Sequence, residues 1–270
     1  MNRLFRGALW AYAAANLAAC DDNFVPYNRV EGTRILGIAA EPAELIPGQR
    51  ARLSALVTGA STYRWSWCPV TLGPATGHAC ALEEHPISTA STAVVTWPGD
   101  LRSLCEESAA TAAPQDGLRL DCQAERPTIA IRLVVGSDDG PVSALWPLVI
   151  GQEDRPTNQN PRLDGVWAEG APLQEGEVLQ PGQILPLLAQ TSTAVAEPSE
   201  ALKLTWFVTG GEVDRVRTAY GPGGDLHALG TNTWTLPEEP GDGALHLVIR
   251  DDRGGVGWLS RRVRIEGGAR

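Results

Sequence analysis

Cysteine is the residue type in this chain whose chemistry is most constrained by position. The chain has five cysteines, Cys20, Cys68, Cys80, Cys105 and Cys122. Cys20 closes a segment in which Arg3 and Arg6 precede a short apolar run and small residues follow, which is the layout of an export signal. The apolar run is shorter than the ~20 residues that a membrane-spanning helix needs. We therefore expect residues 1–19 to be removed during export.

The end of this segment, Leu17-Ala18-Ala19-Cys20, resembles a bacterial lipobox. The resemblance implies cleavage between Ala19 and Cys20, a lipid thioether on Cys20, and acylation of its freed amine, palmitate being a typical acyl group. The expected product is a lipoprotein of the cell envelope, anchored to the inner or outer membrane and facing the periplasm or the cell surface. Residues 20–33 are then a lipidated N-terminus and tether. Secretion without lipid is the alternative.

The other four cysteines are an even number in a chain expected to be exported, where disulfides persist. Three pairings are possible. We favour Cys68–Cys80 and Cys105–Cys122, because each closes a short local loop. The sequence has no C-x-x-C spacing, so a zinc site is not favoured.

The formal net charge of the chain is −10. Acidity of this size disfavours nucleic acid and anionic lipid headgroups as partners, because both select for basic patches. It is compatible with calcium, for which two adjacent acidic pairs are weak candidates: Asp138 with Asp139, and Asp251 with Asp252. Each pair supplies too few of the six to eight oxygens that calcium takes, and Asp in tight turns is the simpler explanation. No cofactor is predicted.

Short segments that alternate apolar and polar residues predict strands throughout, with hairpin signals at Asp139-Gly140 and at residues 251–255. The order of signals repeats. A unit over residues 34–151 is followed by a polar linker, residues 152–162, and a second unit over residues 163–267. Trp65 and Trp206 occupy equivalent strands and are expected in the cores. The pattern predicts an all-β chain of two tandem sandwiches.

Residues 204–211 and 247–255 resemble the central strand and the last hairpin of bacterial Ig-like domains of the PKD kind. The resemblance covers residues 163–266 well and residues 34–150 less well. It implies immunoglobulin-like (PKD-like) sandwiches, and it identifies a fold rather than an activity. The first unit departs from the pattern over about residues 68–122, which hold all four remaining cysteines. We interpret this segment as a disulfide-containing loop insertion.

Catalytic motifs are absent from the sequence: there is no G-x-S-x-G, H-E-x-x-H or Walker loop. We therefore predict a non-enzymatic binding or scaffold module with a protein partner in the envelope, using the insertion as its contact surface. One alternative is a carbohydrate-binding or adhesive module that uses Trp146 or Trp258, which are expected at the surface. A second alternative is a calcium-stabilised spacer. His246 is expected to face solvent or a sheet edge.

Overall fold

The protein is described from a computed structural model. The structure describes residues 25–46, 48–96, 101–111, 117–151, 157–191, 200–222 and 224–267. The expected signal segment, its cleavage position after Ala19, and Cys20 lie outside the described residues. No helix within those ranges is both long enough and apolar enough to cross a membrane.

Most of the described chain is extended. The first half contains β1 (Arg34–Glu41), β2 (Glu44–Leu45), β3 (Arg50–Thr58), β4 (Thr62–Cys68), a 3-10 helix (Pro74–Thr76), β5 (His85–Ser88), β6 (Ala93–Thr96), α1 (Leu101–Ala110), β7 (Thr128–Gly136) and β8 (Val142–Ile150). The second half contains β9 (Leu163–Ala168), β10 (Ala171–Pro172), β11 (Glu177–Leu179), β12 (Ile184–Thr191), β13 (Leu202–Val208), β14 (Glu212–Val213), β15 (Arg217–Tyr220), α2 (Leu226–Gly230), β16 (Thr231–Thr235), β17 (Gly241–Asp251) and β18 (Val256–Ile265).

Each half is a pair of sheets, and the strand order is the same in both halves except that the second half has two additional edge strands, β10 and β14. In the first half, the sheet β1-β3-β6 faces the sheet β2-β8-β7-β4-β5. In the second half, β10-β9-β12-β16-β14 faces β11-β18-β17-β13-β15. The last long strand of each half also receives a short parallel strand, β2 on β8 and β11 on β18. The fold-class prediction is confirmed: the chain is all-β and forms two tandem immunoglobulin-like sandwiches, the first with a disulfide-containing insertion.

The equivalent tryptophans lie at the centres of the two cores. Trp65 on β4 and Trp206 on β13 are both fully buried. A buried indole N–H requires an acceptor. The Nε1 atom of Trp65 donates to the carbonyl oxygen of Ala90 at 3.0 Å, and that of Trp206 donates to Thr218 Oγ1 at 3.0 Å. Each core therefore contains a large aromatic side chain whose polar atom is hydrogen-bonded.

The two sandwiches pack side by side through one continuous apolar cluster. Leu36 and Ile38 on β1 belong to the same buried cluster as Phe207 and Val248 on the outer face of the second sandwich. A Cβ atom on Gly37 would lie 3.3 Å from Val248 Cγ1, so the glycine lets strand β1 approach that face closely. This contact surface is apolar, as expected for a stable junction rather than a flexible one.

Polar contacts fix the register of the same junction. Asn160 donates from Nδ2 to the Ala40 carbonyl oxygen at 2.6 Å and to Glu41 Oε2 at 2.9 Å, and its Oδ1 accepts from the Val256 backbone N–H at 2.9 Å. Asn160 lies in the stretch predicted to be a polar linker. Its side chain bonds to both sandwiches at once, so this part of the linker holds them together.

Residues 25–33, which we name the N-terminal segment, lie against the second sandwich. The Val30 N–H donates to the Val208 carbonyl oxygen at 2.8 Å, and the Val208 N–H donates to the Asn28 carbonyl oxygen at 3.0 Å. The segment thereby pairs with the end of β13, at a part of the strand edge that β15 does not cover. The expected tether, residues 20–33, is described only from Val25 onward, and within this part Asn28 and Val30 are buried.

One prediction about a core position is wrong. His246 does not face solvent or a sheet edge: it is 9% exposed and lies on β17, between β13 and β18. Phe207 and Ser260 are its cross-strand neighbours, and Nδ1 lies 2.8 Å from Ser260 Oγ. Burial lowers the pKa of His246 below its usual 6.5. The side chain is covered because β17 is a central strand with both flanks occupied.

Candidate functional site

Two disulfides fasten the insertion to the first sandwich. Cys68, at the end of β4, is bonded to Cys80 with a Cα–Cα distance of 5.4 Å. Cys105, on α1, is bonded to Cys122 with a Cα–Cα distance of 5.9 Å. The structure thus contains the pairing that short local loops favoured. We name residues 69–84 and 117–127, together with α1, the cap.

Backbone hydrogen bonds join the two loops of the cap into one layer. Thr71 is bridged to Cys80 on one side, and Val70 is bridged to Arg119 on the other. The Leu120 N–H donates to the Pro69 carbonyl oxygen at 2.9 Å, and Ser108 Oγ on α1 donates to the Leu120 carbonyl oxygen at 2.9 Å. Although the two loops are far apart in sequence, they form a single rigid element. Strands β5 and β6, which lie between them in sequence, belong to the sandwich itself.

The guanidinium of Arg132 lies beneath the cap and is hydrogen-bonded to the first loop of the cap. Arg132 on β7 is 8% exposed, and its Nε and Nη2 donate to the Gly77 carbonyl oxygen at 3.1 and 3.0 Å. Its Nη1 donates to Glu84 Oε1 at 3.1 Å, and Ser66 Oγ donates to the same oxygen at 2.6 Å. The Ser66 hydrogen bond is the main reason that the pKa of Glu84 lies below its usual 4.5, with Arg64 and Arg132 adding to the effect. The ionised carboxylate is thus bonded on the cap's underside.

The same cap is joined to the second sandwich through a buried carboxylate. Glu44 is 5% exposed. Its Oε1 accepts from Arg126 Nη2 of the cap at 2.6 Å and lies 3.8 Å from Arg253 Nη2 of the second sandwich. A buried charge is tolerated only when it is paired, as it is here. Cap, first sandwich and second sandwich therefore meet at Glu44.

The outward side of the cap is available for contact. Residues 74–76 of the 3-10 helix are exposed, and Leu118 is 37% exposed beside the bridged strand at Arg119. Glu106 and Glu107 on α1 are also exposed. This surface combines an apolar side chain with acidic and small residues on a backbone held by two disulfides. A rigid, exposed loop on a sandwich is a common place for recognition.

The acidic pairs considered for calcium lie in two separate hairpins. Asp138 and Asp139 are exposed in the turn between β7 and β8. In the turn after β17, Asp251 Oδ1 accepts from the Arg253 and Gly255 N–H groups, and its Oδ2 accepts from Asn158 Nδ2 at 3.0 Å. Asp251 is thus engaged in forming its own turn, and Asp252 beside it is exposed. No group of three or more metal-ligating side chains lies together within the described ranges.

The two tryptophans proposed for carbohydrate stacking lie in different surroundings. Trp146 is 9% exposed and lies opposite Ile131 on β7, so the expectation that it lies at the surface is wrong. The neighbouring Pro147 takes the exposed position instead. Trp258 is half-buried and lines a cleft of about 860 Å³ beside the junction, together with Asn158.

Sequence reasoning missed a third tryptophan. A Cβ atom on Gly165 would lie 2.8 Å from Cζ3 and Cη2 of Trp167, so the indole lies on the backbone of β9. Trp167 lines a shallow pocket of about 390 Å³ on the outer face of the second sandwich, with Gln190 and His227 at the pocket. The available signal was a glycine two residues before a tryptophan on one strand, which leaves room for the ring to lie flat.

Two of the described histidines, His85 and His246, contact other side chains. His85 stacks on Trp67 with ring centroids 4.0 Å apart and planes 10° from parallel. His246 is bonded to Ser260, but no carboxylate in the described part of the chain pairs with that histidine, so the third member of a catalytic triad is missing. What the geometry offers is a set of surfaces: the cap, the Trp167 pocket, and the cleft beside Trp258.

No protein-family model matches this chain, and no curated protein matches it. Several solved structures are similar. The fibronectin(III)-like modules of Clostridium thermocellum CbhA match at 13% identity and a TM-score of 0.27, over 87% of this chain and 94% of that one. The adhesin InvE of Yersinia pseudotuberculosis matches at 14% identity and a TM-score of 0.24, over 87% of this chain and 58% of that one. At these values the likeness carries no argument about binding or activity.

Proposed function

We propose that this protein is a lipid-anchored, non-enzymatic binding module of the bacterial envelope, and that the cap is its contact surface. The observation that carries the proposal is the way the cap is held. Two disulfides, the Arg132–Glu84 pair and the Glu44–Arg126 pair fix a surface that does not itself contribute a strand to either sheet. Fixing a loop before it binds lowers the entropy cost of association.

The anchoring part of the proposal rests on the lipobox-like segment ending at Cys20. Its test is the intact mass of the protein recovered from bacterial envelopes. We expect a chain that begins at Cys20 and is heavier by its acyl groups. Two or three acyl chains support stable attachment, whereas one is marginal. A chain that begins at Met1 without an adduct would contradict the anchoring.

The contact surface is tested by placing an arginine on it. In Leu118→Arg, a charge replaces the exposed apolar side chain of the cap, and we expect the partners cross-linked in envelopes to be lost. Loss of a central apolar contact typically costs about 2 kcal/mol or more, a ~30-fold weaker affinity. Ile184→Arg is the matched control, because Ile184 is 64% exposed on the second sandwich. Equal recovery of the same partners with both variants would rule out the cap as the contact surface.

A second function, carbohydrate binding, is favoured by the Trp167 pocket. An indole that lies flat on a strand can stack against the apolar face of a sugar ring, while Gln190 and His227 supply hydrogen-bonding groups beside it. The test is a glycan array probed with the native protein and with Trp167→Ala. Trp258→Ala is the matched control. Binding that Trp167→Ala does not change would exclude this site.

A further inference from the structure

Cationic and apolar side chains lie together around Tyr27 in the N-terminal segment. Val25 is 47% exposed and Tyr27 is 52% exposed. The guanidinium carbon of Arg34 lies 5.3 Å from the centroid of the Tyr27 ring, and that of Arg217 lies 5.1 Å from the same centroid. The aromatic ring is therefore held beside two positive charges.

Lys203 lies on the same face. Thr205 on β13 is opposite Arg217 on β15, and Lys203 precedes Thr205 by two residues on its strand. Side chains two apart on a strand share a face, so Lys203 and Arg217 both lie on the outer face against which the N-terminal segment packs. We name Val25, Tyr27, Arg34, Lys203 and Arg217 the exit patch.

Within the described residues, the basic side chains of the exit patch are not ion-paired. Arg34, Lys203 and Arg217 form no ion pair with a carboxylate of the described residues. Arg34 Nη1 instead donates to the carbonyl oxygens of Tyr27 and Arg29, at 2.8 Å each. Over residues 20–34 the acidic side chains are Asp21, Asp22 and Glu31, against Arg29 and Arg34, so the excess of positive charge comes from Lys203 and Arg217 on the second sandwich. A basic patch thus occurs on a chain whose net charge is −10.

We propose that the exit patch binds the anionic headgroups of the bilayer that holds the Cys20 lipid. This inference rests on the anchoring proposed above. Four residues, 21–24, separate that anchor from Val25, and the five extended Cα–Cα steps from Cys20 to Val25 span at most about 18 Å. The exit patch is therefore held within reach of the headgroups. Each basic side chain near an anionic membrane surface contributes about 1 kcal/mol, and exposed Val25 and Tyr27 suit the apolar side of the interface.

Binding through the exit patch would hold the second sandwich at the membrane surface, because the N-terminal segment is hydrogen-bonded to Val208 of that sandwich. This differs from the expectation that overall acidity disfavours anionic headgroups, because the net charge does not report how the charges are distributed. The cap is on the first sandwich and the exit patch is mainly on the second.

Lys203 is the single lysine of the sequence, which allows a direct test. The chain from Cys20 onward, without lipid, is coupled through the Cys20 thiol to a maleimide phospholipid in vesicles. One set of vesicles contains phosphatidylglycerol and the other is phosphatidylcholine alone. The rate of Lys203 acetylation is followed by peptide mapping, which separates Lys203 from the terminal amine. On phosphatidylglycerol vesicles we expect acetylation to be about fivefold slower or more, the ratio that corresponds to one basic contact.

Substitutions distinguish the exit patch from simple crowding by the vesicle. The double variant Tyr27→Ala, Arg217→Gln should restore the acetylation rate of the uncoupled chain. Arg52→Gln, an exposed arginine on β3, should leave the protection unchanged. Equal rates on both kinds of vesicle, or protection that survives in the double variant, would overturn the proposal. Because the tether here is chemical, such a failure does not bear on whether Cys20 is lipidated, which the intact mass decides.

Discussion

The Nη2 atom of Arg250, on the second sandwich, donates a hydrogen bond of 2.8 Å to the carbonyl oxygen of Leu36, on the first. The guanidinium is largely buried, and burial lowers the pKa of Arg250 below its usual value. A charged group is buried here only because the strand that accepts its hydrogen bond comes from the other sandwich. The two halves of the chain are thus parts of one folded unit.

The first prediction concerns the close approach at Gly37. In Gly37→Leu, the new side chain meets Val248 and Trp258, because a Cβ atom alone would lie 3.3 and 3.6 Å from them. We expect the variant to lose about 1–3 kcal/mol and to unfold in two transitions instead of one. Thermal unfolding followed by calorimetry measures both. Gly241→Leu is the control, since nothing lies within 4 Å of a Cβ atom there. If Gly37→Leu unfolds in a single transition at the wild-type temperature, the two sandwiches are not tightly packed at Gly37.

The second prediction concerns the hydrogen bond inside the second core. Thr218→Val keeps the side-chain shape but removes the oxygen that accepts from Trp206 Nε1 and donates to the Leu229 carbonyl oxygen. The buried indole N–H is then unpaired, which costs about 1–3 kcal/mol. Urea denaturation should show a lower midpoint with an unchanged slope. Thr235→Val, at an exposed position on β16, should have little effect. Equal losses in both variants would count against the assigned hydrogen bond.

The third prediction is a pH dependence that arises from His246. Burial lowers the pKa of this imidazole in the folded protein, whereas in the unfolded chain it stays near 6.5. As pH falls through about 6.5, the unfolded chain takes up a proton that the folded protein refuses, so the free energy of unfolding decreases. The free energy of unfolding stops decreasing once the pH is below the pKa of His246 in the folded protein. His246→Gln should flatten the stability profile between about pH 7 and 5.

Exposed His227 provides the matched control for that experiment. In His227→Gln the decrease in stability below about pH 6.5 should remain. If His246→Gln and wild type have parallel profiles, the imidazole does not titrate differently on folding, and the prediction is wrong.

The fourth prediction concerns the ionised carboxylate beneath the cap. The hydrogen bond from Ser66 is the first cause of the lowered pKa of Glu84. A group with a lowered pKa contributes stability above its unfolded value, near 4.5, and this contribution is lost as pH falls through the folded value. Glu84→Gln should therefore lower stability by about 1 kcal/mol at pH 7, since the side chain is partly exposed, and weaken the acid dependence.

Glu83, the exposed neighbour, is the control for Glu84. Glu83→Gln should retain both the stability at pH 7 and the acid dependence below about pH 4.5. The measurement is the urea midpoint as a function of pH. A Glu84→Gln profile that coincides with that of Glu83→Gln would show that the cap does not depend on this charge.

Local pattern was enough to predict the strands and the core tryptophans. The hairpin signals at Asp139-Gly140 and at residues 251–255 lie at the turns between β7 and β8 and between β17 and β18, and the alternating segments around them are strands, because alternation at period two reports which face is buried. The same rule, applied to β8, would have placed Trp146 with Leu148 on the buried side. Its assignment to the surface gave too much weight to the strand's position at the end of the unit.

Local sequence pattern does not predict the junction between the two sandwiches. Whether Gly37 is a flexible site or a contact depends on Val248, more than 200 residues later in the sequence. Neither Arg250 nor Asn160 has a local signal for its partners, because the partner of Arg250 and two of the three partners of Asn160 are backbone groups, whose chemistry is the same in every residue. The burial of His246 likewise depends on both flanks of β17 being occupied by other strands.

The attachment of the N-terminal segment to Val208 has a mechanical consequence. A chain pulled through its anchor normally loads the first body and passes the load to the next one through the connection between them. Here the N-terminal segment is hydrogen-bonded to the second sandwich before the chain enters the first. With the Cys20 anchor proposed above, tension from the membrane would therefore load both bodies at once.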